Sequence, residues 1–384
     1  MHFTRLKLKN WRNFTRVDLE LRQRLFITGP NASGKSNFLD AFRFLRDIAK
    51  SGGGLQQAVE ERGGLTKLRC LAARRDPNVD IEVELGEGHG DEVTTWRYGI
   101  GLKQETRGLR RVLLTHEKVW KNDILILNRP DKDDRSDDLR LTETHLEQIT
   151  ANRDFRPLAE VFQKVLYLHL VPQLLKFPHL ANRDAAGEDP FGIKFLDRMM
   201  ETPEKTRRSR LRKIEKALQI AVPELQELRD VRDEKGIPHL EAVYQHWRPN
   251  AGRQREDQFS DGTLRLIGLL WTLLDGDSLL LLEEPELSLH TSIVSKLPEL
   301  IWRLQRTRKR QVIVSSHSAE LFSDKGIAAE EVALLKPHGS EGTEVELASG
   351  MENIRLLLDG GMTMADAVLP LTAPATVSQL ALFD

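Results

Sequence analysis

Hydrophobic and polar positions near the N-terminus follow two different periods. Residues 3–11 (FTRLKLKNW) and 16–21 (RVDLEL) alternate apolar with polar side chains, as half-buried strands do, and they flank a turn at residues 10–14. Residues 25–28 (LFIT) do not alternate, which predicts a buried central strand. Residues 38–48 (FLDAFRFLRDI) repeat apolar side chains at helical spacing. The pattern therefore predicts a strand, a loop and a helix in succession.

Between residues 76 and 150 the period of two returns and predicts antiparallel strands. The alternating runs are VDIEVEL (79–85), TTWRYGIGL (94–102), VLLTHEKVW (112–120) and DILILN (123–128). The strongly charged stretch 129–143 predicts an exposed loop.

The second half of the chain mixes helical spacing with short apolar runs. Ser260 or Asp261 is the expected N-cap of a helix over residues 264–274, because both side chains accept hydrogen bonds from free N–H groups. The other expected elements are helices within 185–222, a hairpin around 235–236, a turn at 275–277, buried strands at 279–282 and 312–314, a strand in EVELAS (344–349) and a helix in MENIRLLLDGG (351–361).

The chain has 384 residues, of which 40% are apolar and 30% charged, and its net charge is −1. This composition indicates a folded core and gives no argument for or against nucleic acid as a partner. A single cysteine, Cys70, excludes an intramolecular disulfide and a cysteine-based zinc site. Since we find no apolar signal segment and no apolar run of about 18 residues, we expect a cytoplasmic protein with no membrane partner.

A glycine-rich loop, GPNASGKSN, separates the central strand from the first helix. It fits G-x-x-x-x-G-K-[ST], in which the backbone N–H groups and the helix N-terminus surround phosphates. Lys35 would reach the β- and γ-phosphates, and the Ser36 hydroxyl would bind Mg²⁺. The predicted nucleotide-binding residues are Gly29, Pro30, Asn31, Ala32, Ser33, Gly34, Lys35, Ser36 and Asn37.

Acidic residues follow the buried strand at 279–282, where Pro285 ends it. A carboxylate there can hold hydrated Mg²⁺, and the next can polarise an attacking water. We assign Glu283 to the first role and Glu284 to the second. The alternative is a strand that ends in a solvated acidic turn.

Two smaller motifs each have a functional and a structural interpretation. Ser260, Asp261 and Gly262 open a helix whose N-terminus could bind an anion, or they could form an ordinary cap. His317 follows the strand at 312–314, where parallel sheets bind ligands, although a lone histidine is more often structural.

In this order KNWRNF, GPNASGKSN, QFSDGT, LLLLEEPELSLH and SSHS resemble the ABC-type ATPases of the SMC, RecF and OLD group. The resemblance covers about residues 1–75 and 255–335. It implies an α/β fold, namely an ABC-ATPase head of the P-loop NTPase class with a mixed central sheet, an antiparallel β-subdomain and a helical insert. The insert is too short for a long coiled coil and no acidic cluster suggests a Toprim domain, so the resemblance is to a compact head.

The resemblance also implies a mechanism. ATP and Mg²⁺ would be the ligands, and two copies would close head to tail around two ATP molecules. Each site would combine Lys35 and Ser36 of one copy with the signature Ser260, Asp261 and Gly262 of the other. Glu284 would match the catalytic glutamate and His317 the switch histidine at the γ-phosphate.

Other positions are matched more distantly. Glu283 stands where the family usually has aspartate. Ser288 and His290 would belong to the loop that crosses the dimer interface, and Asn13 falls where the family often contacts the base or the phosphates. Gln173 is a candidate, by position, for the glutamine of the Q-loop.

By these motifs we divide the chain into four segments. Residues 1–150 would form ATPase lobe I with the phosphate loop and the β-subdomain, and 151–255 the helical insert and hairpin. Residues 256–340 would form lobe II with the signature, the acidic strand and His317. Residues 341–384 would add a strand, a helix and an apolar tail, whose residues 366–384 we expect to dock on a partner or a neighbouring copy.

Two functions remain open. One is an ATPase dimer that controls a separate effector, a nuclease or a toxin, in an anti-phage or toxin-type module, which is an expectation from the family. The other is a RecF-like clamp on DNA. Residues 205–216, with seven basic residues and one acid, would then bind the DNA phosphates. A solvated helix face explains the same residues as well. A transporter-type ATPase subunit is a third interpretation, against which the RecF-like start and the SDGT signature argue.

Overall fold

The computed structural model describes residues 1–73, 76–87, 94–105, 108–177, 191–248 and 252–373. Residues 185–190 of the predicted helical stretch and 374–384 of the predicted docking tail therefore lie outside the described residues.

The strands are β1 (His2–Trp11), β2 (Phe14–Glu20), β3 (Arg24–Thr28), β4 (Val79–Glu87), β5 (Thr94–Gln104), β6 (Val112–Lys121), β7 (Ile124–Arg129), β8 (Leu166–Leu168), β9 (Leu225–Arg232), β10 (Pro238–Tyr244), β11 (Arg253–Arg255), β12 (Leu280–Glu283), β13 (Val312–Ser315), β14 (Val332–Pro337) and β15 (Thr343–Leu347). The helices are α1 (Lys35–Ala49), α2 (Leu55–Glu60), α3 (Leu65–Leu68), α4 (Lys132–Ser136), α5 (Arg156–Gln163), α6 (Pro172–Lys176), α7 (Phe195–Glu201), α8 (Glu204–Ala221), α9 (Asp261–Leu274), α10 (Thr291–Val294), α11 (Leu297–Arg308), α12 (Ala319–Phe322), α13 (Glu352–Asp359) and α14 (Met364–Val368).

The chain forms two compact units. The first contains Met1–Leu166, Ser278–Leu281 and Lys309–Asp384, and the second contains Tyr167–Asp277 and Leu282–Arg308. The chain passes from one unit to the other within β8 and β12. The four-segment division by motif stays a prediction.

An antiparallel sheet in the first unit has the order β2-β1-β4-β5-β6-β7. Buried side chains stand opposite one another across it, as where Leu6 pairs with Val83 and Val83 with Tyr98. These pairings follow from the alternation of apolar and polar positions, which puts every second side chain on the same face. The strands predicted between residues 76 and 150 are confirmed.

A mixed sheet carries the phosphate loop and has the order β15-β14-β3-β13-β12-β8. The central strand β3 is buried along its whole length and pairs in parallel with β13 and β14. At one edge of the sheet, β15 pairs antiparallel with its neighbour β14. Because β3 and β13 run in the same direction, the residues after both strands meet at one edge of the sheet.

Helix α1 packs its apolar positions into the core of the first unit. Its ring contacts include an edge-on contact between Phe42 and Phe3, with centroids 5.2 Å apart, and a tilted contact between Phe44 and Trp11, also at 5.2 Å. Both phenylalanines are fully buried, and burial of each stabilises the fold by about 1.5–3 kcal/mol. This packing fixes the helix that begins at the phosphate loop.

The second unit contains a three-stranded sheet and helices that pack on it. The sheet order is β11-β10-β9, and β9 and β10 form the hairpin predicted around residues 235–236. Helix α8 buries Leu211, Ile214 and Leu218, while α9 is buried along nearly its whole length. The predicted helices are thus confirmed for the described residues, and α9 starts at Asp261, three residues earlier than predicted.

The prediction of an exposed loop at residues 129–143 is confirmed for most side chains of the stretch, but it is wrong about a short helix and about two buried charges. This stretch contains α4, and Arg129 and Asp134 are buried at 2% and 0% exposure. Arg129 donates to Asp134 and, at 3.0 Å, to Glu117 of β6. Since paired charges can be buried when each has hydrogen-bond partners, a high charge density does not require an exposed position.

No helix in the described ranges combines the length and the apolar character needed to cross a membrane.

Candidate functional site

The phosphate loop joins the end of β3 to the start of α1. Gly34 is the N-cap of α1 with φ of 101°, and no described side chain caps the helix at this position. A helix N-terminus of this kind attracts anions. Lys35 is buried, and its Nζ donates to the carbonyls of Gly29 and Pro30, each at 3.1 Å. The lysine is thus held over the loop, where its charge can attract phosphate oxygens.

Asn13 holds the phosphate loop from the β1–β2 turn. Its Nδ2 donates to the Ser33 carbonyl at 2.6 Å and to Thr343 Oγ1 at 2.8 Å, and its Oδ1 accepts from Asn37 Nδ2 at 2.9 Å. A Cβ atom on Gly34 would lie 2.2 Å from Asn13 Nδ2, so only glycine allows this approach. The described contacts of Asn13 are therefore with protein, and its predicted contact with the nucleotide stays a prediction.

Three hydroxyls at this edge of the sheet support a ligand site. Thr28 Oγ1, Ser33 Oγ and Ser315 Oγ are buried and hydrogen-bond to none of the described residues. Thr28 ends β3, Ser315 ends β13, and Ser33 lies in the loop. Because a buried hydroxyl without a partner is costly, these groups fit a site that takes phosphate oxygens and their waters. His317 is half-buried and follows β13 by two residues, just before α12.

Glu283 is the last residue of β12 in the second unit, and its carboxylate has a partner that the sequence did not predict. The Tyr167 hydroxyl donates to Glu283 Oε2, and His169 Nδ1 lies 3.4 Å from the Glu283 carbonyl. Tyr167 comes from β8, 116 residues earlier in the chain. No local pattern marks such a pair, so sequence reasoning missed this tyrosine.

The oxygens of Ser36 and Glu283 suit magnesium. Mg²⁺ prefers oxygen ligands and usually takes one or two from the protein, with phosphates and waters supplying the rest. Ser36 is exposed on the first turn of α1, and Glu283 is half-exposed at its strand end. Each group is of the type that Mg²⁺ prefers, and their joint role in one site stays a prediction.

Glu284 has a left-handed backbone conformation, with φ of 44°. A non-glycine residue there costs of order 1–3 kcal/mol, and such strain concentrates at functional sites. Nearby, burial lowers the pKa of the Arg265 guanidinium, and the charges of Asp261, Glu286 and Glu284 partly offset this effect. Arg265 thus supplies positive charge close to the proposed catalytic glutamate.

The signature residues form the N-terminus of α9. Ser260 is the N-cap, since its Oγ accepts from the Thr263 N–H at 3.1 Å, which confirms one of the two predicted caps. Asp261 accepts hydrogen bonds from Gln173 and, at 2.7 Å, from Lys176. Gln173, the Q-loop candidate, therefore contacts the signature of its own chain.

Gly262 brings the signature against the loop that follows the acidic strand. A Cβ atom on Gly262 would lie 2.5 Å from the Ser288 carbonyl, and Ser288 itself has φ of 62°. His290 is exposed, and its Nδ1 caps α10 by accepting from the Ser292 N–H at 3.2 Å. The predicted signature and interface loop are therefore in direct contact.

The predicted site residues thus fall into two sets, one in each unit. The first unit contains Asn13, the phosphate loop and His317. The second contains the signature, Glu283, Glu284 and the loop with Ser288 and His290.

The basic stretch of α8 is partly used inside the second unit. Arg207 donates to Asp230 at 2.8 Å, and Arg210 donates to Asp275 at 2.7 Å while lying over the Trp271 ring. The exposed cations of the helix are Lys205, Arg208, Arg212, Lys213 and Lys216. Two of the seven basic residues therefore support the fold.

Two family profiles match the sequence. The one described as "AAA domain, putative AbiEii toxin, Type IV TA system" matches residues 25–324, and the one described as "P-loop containing region of AAA domain" matches residues 3–45. The first covers more than half of the chain and includes the phosphate loop, the signature and the acidic strand.

Two curated proteins are similar over short stretches. The DNA replication and repair protein RecF of Roseiflexus castenholzii is 34% identical over 92 residues, which are 22% of this chain and 23% of RecF. Endonuclease GajA of Bacillus cereus is 47% identical over 47 residues, which are 12% of this chain and 8% of GajA. The similarity thus spans less than a quarter of either relative.

A solved structure is similar over most of the chain. The SMC head bound to the C-winged helix domain of ScpA aligns with a TM-score of 0.54, covers 91% of this chain and 100% of its own, and is 14% identical. At this identity the likeness shows the fold, which is that of an ABC-type ATPase head.

Proposed function

Since the chain belongs to the AAA domain family and is an ABC-type, SMC/RecF-like ATPase by sequence and fold, we propose that it binds ATP with Mg²⁺ and hydrolyses it. The observation that carries the proposal is the phosphate loop. Gly34 leaves the N-terminus of α1 uncapped, Asn13 braces the loop, and Lys35 lies across it. This arrangement places the positive end of a helix and a cation beside the loop that would hold a triphosphate.

The residues would divide the chemistry between binding and hydrolysis. Lys35 would bind the β- and γ-phosphates, while Ser36 and Glu283 would hold Mg²⁺, whose charge would offset that of the phosphates. Glu284 accepts a hydrogen bond from the attacking water and polarises it. His317 contacts the γ-phosphate and reports whether it is present.

Hydrolysis would take place in a homodimer that closes head to tail. The signature Ser260, Asp261 and Gly262 would face the nucleotide of the other copy, and the loop with Ser288 and His290 would cross the interface. The contact between Gly262 and the Ser288 carbonyl supports this, because it makes the two predicted interface elements one surface. Lys176 neutralises Asp261, which would otherwise repel an approaching phosphate.

We further propose that the ATP cycle controls a separate effector protein, a nuclease or a toxin, in anti-phage defence or a toxin-type module. Support comes from the similarity to GajA, an endonuclease, and from the description of the matching family, which names a toxin system. The SMC head solved with a domain of ScpA is a case in which a head of this fold has a protein partner.

Glu284→Gln tests the proposal, because it keeps the shape of the side chain and removes the charge that polarises water. We expect the variant to bind ATP, to lose turnover by at least about a hundredfold, and to accumulate as an ATP-bound dimer in light scattering. Glu286→Gln, two residues on, is the matched control and should keep turning over. Normal turnover by Glu284→Gln would show that another residue activates the water.

A RecF-like DNA clamp is the second candidate, and one observation favours it. Trp247 is 79% exposed in the connection after β10, its ring stacks with His246, and Arg248 lies 4.4 Å from its centre. Arg253 and Arg255 are exposed on β11. Exposed aromatic and basic side chains are the groups that bind nucleic acid, so stimulation of ATP turnover by duplex DNA, lost in Trp247→Ala, would favour the clamp.

A further inference from the structure

The strongest unassigned contact of the second unit joins a tyrosine to the carboxylate that we place on Mg²⁺. Tyr167 is 7% exposed, and its hydroxyl donates to Glu283 Oε2. A hydrogen bond from a hydroxyl to an ionised carboxylate is among the stronger ones in proteins. Buried tyrosine hydroxyls normally have a partner, and here the partner is a functional side chain.

The chemistry of Glu283 explains why such a partner would matter. The related ATPases usually have aspartate at this position, and glutamate adds one methylene and one rotatable bond. A free glutamate side chain therefore samples more rotamers, and fixing it for metal binding costs more conformational entropy than fixing an aspartate. A donor on one carboxylate oxygen removes much of that freedom before the ion binds.

We propose that Tyr167 is a positioning residue for the Mg²⁺ site, and that it fixes the orientation of the Glu283 carboxylate through the hydrogen bond to Oε2. The inference rests on the proposed function of Glu283. It assigns to β8 a role in metal binding that its sequence, LYL, does not indicate. His169, on the same stretch, lies against the Glu283 carbonyl and so limits the movement of the strand end from a second side.

The test compares Tyr167→Phe with wild type by the affinity for Mn²⁺, used as the paramagnetic probe for Mg²⁺, in the protein–ADP complex. Phenylalanine keeps the buried ring and removes only the hydroxyl. We expect Mn²⁺ binding, measured by electron paramagnetic resonance, to weaken by at least about tenfold, which is the size of a lost hydrogen bond to a charged group. ADP binding in EDTA should stay unchanged, because no metal ion is then present for the Glu283 carboxylate to bind.

Tyr244→Phe is the matched control. Tyr244 is a half-buried tyrosine of β10 in the same unit, and its ring packs edge-on against Phe259. This variant should bind Mn²⁺ as wild type does. If it weakened Mn²⁺ binding as much as Tyr167→Phe, the effect would come from loss of any tyrosine hydroxyl of the unit, and the inference would be overturned.

A double-mutant cycle with Glu283→Asp separates positioning from packing. Aspartate is shorter by one methylene and cannot accept the same hydrogen bond, so Tyr167→Phe should have little further effect on Mn²⁺ affinity in that background. A merely structural tyrosine would give the same loss in both backgrounds, and that additive result would overturn the inference.

Glu283→Ala distinguishes failure of the inference from failure of its premise. If Glu283→Ala weakens Mn²⁺ binding and Tyr167→Phe does not, the carboxylate binds the ion without help from Tyr167, and the inference is wrong. If neither variant weakens Mn²⁺ binding, the magnesium role proposed for Glu283 is wrong, and the inference falls with it.

Discussion

Asn13 Nδ2 lies 2.6 Å from the Ser33 carbonyl oxygen, so a side chain of the β1–β2 turn holds the backbone of the phosphate loop. The same amide reaches Thr343 of β15 and accepts from Asn37 on α1. One residue therefore connects the loop, the helix after it and a strand more than 300 positions away. We infer that Asn13 keeps the loop in its binding conformation before the nucleotide arrives.

Asn13→Ala should weaken ATP binding by about tenfold, since it removes hydrogen bonds worth roughly 1 kcal/mol each and frees the loop. If Asn13 acts through the loop, ATP and GTP should lose affinity equally; if it touches the base, the losses should differ. Titration calorimetry with both nucleotides measures this. The exposed Asn128 provides the control, because Asn128→Ala should bind both as wild type does.

Gly262→Ala should damage the signature more than its small change in volume suggests. The added Cβ would lie 2.5 Å from the Ser288 carbonyl oxygen, a backbone atom that cannot rotate away. Either α9 or the loop after the acidic strand must shift, which costs about 1–3 kcal/mol. We expect ATP turnover to fall by more than about tenfold while nucleotide binding by the phosphate loop persists.

The comparison for that variant is Gly86→Ala in β4. A Cβ atom on Gly86 would meet its nearest neighbour, Thr4, at 3.4 Å, which is ordinary contact. Turnover assays and thermal unfolding should show little change there. Equal effects of the two substitutions would mean that the Gly262–Ser288 contact has no special role.

Arg62 joins two buried carboxylates of α1 and should be important for stability. Its guanidinium lies 2.9 Å from Asp40 and 2.8 Å from Asp47, and all three side chains are less than 10% exposed. Arg62→Met would leave two buried carboxylates short of a partner, so we expect a loss of about 3–5 kcal/mol in the free energy of unfolding at pH 7. Arg5→Met, which breaks the exposed pair with Asp18, should cost about 1 kcal/mol or less.

The cost of Arg62→Met should depend on pH. Burial would raise the pKa of Asp40, but Arg62, Arg43 and Arg12 outweigh it and hold the pKa below its ordinary value of 3.8. The pKa of Asp47 is lowered in the same way, against burial, by Arg46 and Arg62. A depressed pKa contributes stability that is complete above 3.8 and is lost as the pH falls through the folded value. Denaturant unfolding should therefore show a smaller gap between wild type and variant at pH 3.5 than at pH 7.

How far the sequence predicts this site depends on the range of the interactions. Strand periodicity, the Ser260 cap and the polar residues after buried strands are local features, and the structure confirms the elements they predict. Asn13 bonds to Thr343, 330 positions away, and Glu283 bonds to Tyr167, 116 positions away. No local pattern encodes either pair. The exposed-loop prediction for 129–143 fails at Arg129 and Asp134 for the same reason. These two charges are buried with Glu117, on another strand, which accepts from Arg129.

Charge reversal at a buried and at an exposed cation of α8 should have very different effects on stability. Arg210 is 11% exposed, donates to Asp275 at 2.7 Å and covers the Trp271 ring, so Arg210→Glu would bury an acid beside an aspartate. We expect it to destabilise the fold by about 3–5 kcal/mol. Lys213→Glu changes an exposed position three residues on and should alter stability by about 0.5 kcal/mol or less. Thermal unfolding of the two variants measures the difference.

The same two variants, Arg210→Glu and Lys213→Glu, distinguish a loss of DNA contacts from a loss of folding when DNA binding by α8 is measured. A loss of DNA binding in Arg210→Glu would reflect unfolding, whereas the well-folded Lys213→Glu, alone or with Arg212→Glu, tests the exposed face. If that face grips phosphates, each reversal should weaken binding to all sequences alike and reduce the salt dependence of the affinity, because fewer counterions are released. If the DNA affinity and its salt dependence stayed unchanged, the basic residues of α8 would form only a solvated surface. The segment after β10 that contains Trp247 would then be the remaining candidate for DNA binding.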